Sequence, residues 1–450
     1  MKRILLSLAA GCVAVSLAAC GGGTTAGTPS PTTGGTTAGT TAGTTPTSEA
    51  PDTKIGEGQT LTVWIMEGTN PDSTAFFEEV GTAFKEQTGA DLDVQMVPWA
   101  SGKEKFATAI AGGTTPDVAE VGTTWTPEFA EAGALIDLTE RVKADGLDGD
   151  LVEGLVEAGT LDGSLYGMPW YAGVRAMVYN TEIFEAAGIE PPTNWAEIES
   201  AVAAIKESQP DVIPFPIPGA SEFSLYPWVW GNGGEIAVQE GDQWVSQMNS
   251  PEAVEGIEFF TNLALQHESS NVAAATWTEA DVLAAFSQGT VGMAIQGSWT
   301  PARIVQDAPE MEGKFGAFPI PGKDGGMAGS FLGGSHLGIF EGTENEDLSW
   351  EFVKLMTTGE FAQKWGESAN YFPGQTSLLE EMQAGADELT QVFIKQMVEG
   401  GKSTPVTPQW GAIQGQKVTP TMVQAILAGR AEAKAAADEA ATAMNSAFGG

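Results

Sequence analysis

Between Leu61 and Val121 the chain alternates apolar runs of strand length with amphipathic helices, and no other feature restricts the fold as much. Leu61-Thr62-Val63-Trp64-Ile65-Met66 reads as a buried strand. Asp72 or Ser73 caps a helix whose apolar face is Phe76, Phe77, Val80 and Phe84, and Gly89 closes it. Leu92, Val94 and Met96 alternate as a second strand, residues 101–111 form a second helix, residues 117–121 a third strand, and Pro127 opens a third helix. Strand and helix in this order build a mostly parallel sheet covered on both faces, an α/β fold. At 450 residues the chain is too long for one small core, so two α/β lobes are expected.

In open α/β sheets a ligand sits in the crevice beyond the carboxyl ends of the strands. Three segments leave such ends: Glu67-Gly68-Thr69-Asn70, Pro98-Trp99-Ala100-Ser101 and Gly122-Thr123-Thr124-Trp125. Each carries a polar group or a tryptophan, which makes Glu67, Thr69, Trp99, Thr124 and Trp125 candidate ligand residues. The bland alternative is that Trp99 and Trp125 only cover loop edges. Residues 159–198 then mark a change of lobe. A turn at Asp162-Gly163 leads to Pro169-Trp170-Tyr171, an extended run over 174–179, a helix start, a Pro-Pro break and a second helix. Residues 171–175 read as a crossing between lobes, and the strand over 330–339 as its return partner.

The second half is rich in aromatics at loop and strand ends. Residues 221–230 are the most aromatic segment, the strand over 291–295 ends in Gly297-Ser298-Trp299, and a proline-rich loop over 404–411 bears Trp410. Residues 420–448 form an alanine-rich helical pair or one long helix. Of 13 tryptophans, Trp64, Trp195, Trp350 and Trp365 fall on strands or helices and belong to the core, and Trp244 to a hairpin. Trp99, Trp125, Trp170, Trp228, Trp230, Trp299 and Trp410 suit a pocket with an apolar lining and a few placed polar groups, since indole faces match the C–H faces of pyranose rings. Candidate ligand residues here are Tyr171, Arg175, Glu222, Phe223, Trp228, Trp230, Trp299, Ser335, His336, Tyr371 and Trp410.

With 59 acids against 20 bases the formal charge is −39. Such a surface repels nucleic acid and anionic headgroups, and no basic run offsets it. The two histidines, His267 and His336, and two cysteines give no zinc set and no metal site is expected. Gly333-Gly334-Ser335-His336 is not a nucleophile elbow, and Gly401-Lys402-Ser403 lacks the earlier glycine of a phosphate loop, where Gln396 stands. No cofactor is expected. Paired carboxylates of the glycosidase kind remain open, because the acids are so many.

Lys2 and Arg3 precede a short apolar run that ends in Leu17-Ala18-Ala19-Cys20. The run falls short of the roughly 20 residues a spanning helix needs. The motif resembles the lipobox of bacterial lipoproteins and implies lipidation at Cys20; an ordinary secretory leader is the alternative. Residues 21–58, mostly Gly, Thr, Ala, Pro and Ser, read as a disordered tether with a typical span of ~35 Å.

From about Leu61 to the C-terminus the chain resembles the extracellular solute-binding proteins of ABC sugar importers, the group of maltose-binding protein. The carriers are Pro116-Asp117-Val118 through Ala132-Gly133, Gly167-Met168-Pro169 with Val178-Tyr179-Asn180, Ala187-Gly188-Ile189 with Pro192-Thr193-Asn194-Trp195, Phe286-Ser287-Gln288-Gly289, Gly297-Ser298-Trp299, and Gly333-Gly334. The resemblance implies a two-lobed periplasmic-binding-protein-like fold of type II with a hinge between the lobes. With the leader (1–19) and tether (20–58) read above, the chain is expected to divide into a first lobe (59–171 and 331–373) and a second lobe (172–330 and 374–450). The resemblance places sugar contacts at Glu67 to Thr69, Thr124-Trp125, Glu222-Phe223, Trp299 and Trp410. Gly173 stands where maltose-binding protein has an acidic ligand residue and Trp125 where it has a basic one, so the maltose pattern is not reproduced. The expectation is a monomeric, non-enzymatic, membrane-anchored extracellular receptor that delivers a sugar or oligosaccharide to a permease driven by ATPase subunits. A tethered glycoside hydrolase and a surface polysaccharide adhesin are the rivals.

Overall fold

The computed structural model describes residues 54–241 and 243–449. The leader, Cys20 and almost all of the tether lie outside the described residues. β1 (Thr60–Glu67), β2 (Asp91–Pro98) and β3 (Val118–Gly122) form where the apolar runs predict strands. β1 is central and parallel to both neighbours, with Leu61 opposite Leu92 and Val63 opposite Val118. α1 (Thr74–Thr88) buries Phe77, Val80 and Phe84 and ends at Gly89, whose φ of 83° is the left-handed cap that glycine adopts without a Cβ clash. α2 (Trp99–Gly112) starts at Trp99, earlier than the sequence pattern suggests, and α3 (Thr126–Glu131) follows β3.

β4 (Met168–Asn180) connects the two halves of the molecule. Its second half pairs antiparallel with β5 (Met293–Gly297), Arg175 opposite Gly297, and with β6 (Phe315–Phe318), Met177 opposite Phe318. Its first half pairs antiparallel with β7 (Ser330–Ile339), Val174 opposite Leu332 and Met168 opposite Leu337. β7 in turn lies against β3, with His336 opposite Val121. The strand therefore changes neighbours between Val174 and Arg175. Phe372–Pro373 adds a short pairing at Ala172 and Tyr171.

Apolar side chains collect on either side of that change. One core holds Val63, Ile65, Phe84, Trp170, Trp350 and Trp365, continued by Trp64, Phe106, Trp125 and Phe129. Another holds Trp195, Phe215, Trp228, Phe260, Trp410 and Met422. A third runs along β4 through Val174, Val178, Phe286 and Phe393. Trp64, Trp195, Trp350 and Trp365 are core residues, as their place on strands and helices predicts. Two further helices matter for the site, α4 (Thr300–Asp307) directly after β5 and α5 (Pro408–Gly415) late in the chain. The alanine-rich C-terminus is a pair, Val418–Leu427 and Ala433–Phe448, rather than one helix.

Candidate functional site

A guanidinium set in aromatic rings occupies the place where β4 changes sheets. Arg175 donates to both oxygens of Glu279, 2.9 Å from Nε to Oε1 and 2.9 Å from the terminal nitrogen to Oε2. This fork-to-fork pairing is the strong geometry for Arg and a carboxylate. Ser221 also donates to Glu279, at 3.1 Å. The Arg175 guanidinium carbon lies 4.4 Å from the Phe223 ring centre, 5.2 Å from Trp299 and 5.7 Å from Phe331, all within cation–π range. Phe223 and Phe331 themselves stack at 4.4 Å. Beside them the Gln414 amide donates to Glu222 Oε1. Withdrawal from water, helped by the nearby Glu279 charge and opposed by Gln414, Tyr226 and Arg175, raises the Glu222 carboxyl to about 7.

Trp299 joins this block to the loop after β1. Its indole N–H donates to Thr69 Oγ1 at 2.8 Å, and its ring lies 5.4 Å from Tyr371. α4 extends the junction: Arg303 donates to the Asn70 carbonyl at 2.8 Å, and the Asp72 backbone N–H donates to Gln306 Oε1 at 2.6 Å. Gly173 is part of the same fit. A Cβ there would come within 2.6 Å of the Trp299 ring, and one on Gly297 would also collide with it. The missing acidic side chain at position 173 thus has a local reason, since the indole covers that site.

Below lies a buried carboxylate that no sequence motif marks. Glu120 on β3 is 1% exposed and accepts from Tyr171 Oη, from Ser335 Oγ at 2.7 Å and from the Met66 backbone N–H at 2.8 Å. Those donors sit on β4, β7 and β1. Burial raises Glu120 to about 7 against the pull of its hydrogen bonds. Tyr171 stacks on Tyr371 at 3.9 Å. On the other face of β7, His336 is fully buried, with Nδ1 2.8 Å from Thr126 Oγ1 and Nε2 2.9 Å from the Leu155 carbonyl. Burial lowers it to about 4, so it is neutral near pH 7.

The two main cores also meet at α3 and α5. Lys103 and Glu128 form an ion pair, with the Lys103 ammonium over the Phe129 ring at 4.7 Å and over Trp125 at 5.6 Å. Gly411 of α5 lies directly against that pair, and a Cβ on it would strike the Glu128 carboxylate.

The structure thus divides the sequence candidates. Thr69, Arg175, Phe223, Trp299 and Tyr371 form one connected group. Glu222 is coupled in charge to Arg175, and Glu67 is exposed at the end of β1. Thr124 is half-buried after β3. Trp99 and Trp125 pack on each other at 5.4 Å, the loop-edge alternative. Tyr171, Ser335 and His336 are buried and held by their own hydrogen bonds, and Tyr171 stacks on Tyr371 of that group. Trp228, Trp230 and Trp410 lie in the second core, apart from that group. Trp228 is fully buried between Phe215, Trp195 and Phe259, with its N–H on the Ser224 carbonyl at 3.0 Å; Trp230 is 7% exposed against Tyr226; Trp410 is fully buried near Phe448. Their segments are helical, Tyr226–Trp230 and α5, so the rings turn inward instead of lining a loop. Glu279, Gln414, Phe331 and Glu120 escaped the sequence reading because nothing in their local strings separates them from other acids, amides and strand aromatics.

Among the described residues no cluster of His, Cys, Asp and Glu could hold a metal ion, and no helix is long and apolar enough to cross a membrane. A two-lobed α/β fold whose shared strand carries a walled aromatic and polar group defines a class of ligand-capturing proteins. Residues 68–362 match the family described as "Bacterial extracellular solute-binding protein", and the chain belongs to it. It is 30% identical over 383 residues to the diacetylchitobiose binding protein DasA of Streptomyces coelicolor, covering 84% of this chain and 88% of that one. The maltotriose-binding protein of Pyrococcus abyssi is 26% identical, covering 81% and 77%. An ABC transporter solute-binding protein of Thermotoga lettingae, solved with α-D-tagatose bound, superposes with a TM-score of 0.80 at 26% identity, over 87% of this chain and 100% of that one.

Proposed function

We propose that this chain is the substrate-binding subunit of an ABC importer and captures a sugar or oligosaccharide between its lobes. The carrying observation is the Arg175–Phe223–Phe331–Trp299 block at the point where β4 changes sheets, facing Thr69 across the Trp299 hydrogen bond. Ring faces in that block would stack on pyranose C–H faces, while Glu222, Gln414, Glu67 and Thr124 take hydroxyls. The ligands of these relatives, diacetylchitobiose, maltotriose and tagatose, support a carbohydrate.

Delivery follows from lobe motion. β4 changes partners at Val174-Arg175 and β7 pairs with its first half, and we place the hinge at these two strands, with residues 59–171 and 331–373 in the first lobe and 172–330 and 374–450 in the second. A ligand that touches both lobes favours the arrangement in which they meet, and the permease reads that arrangement. No covalent step is assigned to any residue. Calorimetric titration with maltose, cellobiose, N,N′-diacetylchitobiose, arabinobiose and tagatose tests the reading. At least one sugar is expected to bind without being cleaved; no binding across this panel, or release of reducing ends from the oligosaccharides, overturns it.

The anchor completes the proposal. Lipidation at Cys20, after removal of 1–19, would hold the receptor at the outer face of the cytoplasmic membrane on a tether long enough to let it reorient. Cys20→Ser is expected to move the protein from the membrane fraction to the medium, and membrane retention would refute the anchor.

A further inference from the structure

Each cation beside the candidate residues already carries a partner. The Nε and one terminal nitrogen of Arg175 are taken by Glu279, and three aromatic rings surround its guanidinium. Arg303 pairs with Asp307 at 2.6 Å and with the Asn70 carbonyl. Lys103 is paired with Glu128. The acids are not balanced in the same way. Glu222 has an amide for its neighbour, and Glu67 stands exposed at the end of β1.

From this arrangement we propose that the cleft selects uncharged saccharides over uronic acids and sugar phosphates, and that Glu279 is the residue setting that choice through its hold on Arg175. The inference rests on the sugar-receptor reading and narrows its ligand. An incoming carboxylate or phosphate would give up water to meet an Arg175 already paired with Glu279, and would lie close to Glu222. A charge withdrawn from water without a free counter-charge is costly, and that cost rejects a competitor. A neutral pyranose meets no such barrier, because its hydroxyls can donate to those same oxygens and its C–H faces lie on the rings. Glu279 reaches Arg175 from the first turn of the helix Glu279–Ser287, whose start is fixed by the capping box of Thr278 and Asp281. Its carboxylate is therefore held in place by Ser221, Arg175 and a defined helix start.

The test compares neutral saccharides with acidic counterparts on the full chain. Maltose, cellobiose, N,N′-diacetylchitobiose and arabinobiose form the neutral arm; cellobiouronic acid, digalacturonic acid and glucose 6-phosphate form the acidic arm, all by calorimetry at pH 7.5. In the wild type a neutral sugar is expected to bind at least about tenfold more tightly than any acidic one. In Glu279→Gln, which keeps the side-chain shape but removes its charge, the ratio of acidic to neutral affinity is expected to rise by about tenfold. Acidic sugars binding the wild type as tightly as neutral ones would overturn the proposal while leaving the receptor reading intact. An unchanged ratio in a folded Glu279→Gln would remove Glu279 from the role. Silence in both arms would count against the receptor reading itself. Should Glu279→Gln fail to fold, the wild-type ratio still decides the selectivity.

Discussion

Glu120 shows what a single buried carboxylate does to this fold. Its carboxyl is raised to about 7 from 4.5, so the folded chain holds that proton to higher pH than the unfolded one. Its contribution is complete below about pH 4.5 and is lost as pH rises through about 7. Glu222 acts with the same sign, and His336, lowered to about 4 from 6.5, acts with the opposite sign between those two values. Comparing wild type with Glu120→Gln isolates the one group. Denaturant unfolding at pH 5 and pH 8 is expected to show the wild type losing on the order of 3 kcal/mol more than the variant over that interval. Equal losses would mean that Glu120 is not perturbed in this way. The residue was not legible in the sequence for a plain reason. It is one of 59 acids, and its distinction comes from Tyr171 and Ser335, which are far from it along the chain and meet it only through β4 and β7.

Elements were easier to read than the direction of their side chains. The apolar alternation over 61–121 marks β1 to β3 because period and length are local properties, and Gly89 marks the end of α1 for the same reason. Trp228 and Trp410 read as loop residues because a five-residue helix and a helix after proline look like loops in sequence, whereas helical geometry turns their rings into the second core. Gly411 is the instructive opposite, a residue with no side chain that governs how closely two elements approach. Its lack of a Cβ lets α5 sit on the Lys103–Glu128 pair of α2 and α3. Gly411→Ala is expected to push the Glu128 carboxylate aside and weaken ligand binding by about 1–2 kcal/mol through poorer lobe contact. Adding Glu128→Ala should recover most of that loss, since the clash needs both groups. Calorimetry on the four members of this cycle checks it, and additive losses would mean that a clash between the two groups is not what weakens binding.

At the scale of the whole molecule, the tryptophans separate into those that hold a core and those that can sense a ligand. Trp170, Trp228 and Trp410 are essentially without exposed surface, and Trp64, Trp195, Trp350 and Trp365 sit within cores, so their surroundings stay the same when lobes move as rigid bodies. Trp299 differs. It follows a strand of one sheet, donates to Thr69 beyond the other, and shares its ring faces with Arg175 and Tyr371. A sugar entering the block would change both the hydrogen bond and the charge beside that indole. Emission on saturation with the sugar found by calorimetry is therefore expected to change mainly through Trp299, even though the chain has 13 tryptophans. Trp299→Phe should remove most of the change and retain part of the stacking, whereas Trp299→Ala should weaken binding by about 1–3 kcal/mol, as losing one buried aromatic anchor does. If Trp299→Phe kept the full emission change, the responding indoles would be Trp99 and Trp125. The ligand would then lie nearer the α2–α3 side of the first lobe, and the Arg175 block would be a structural joint rather than the sugar platform.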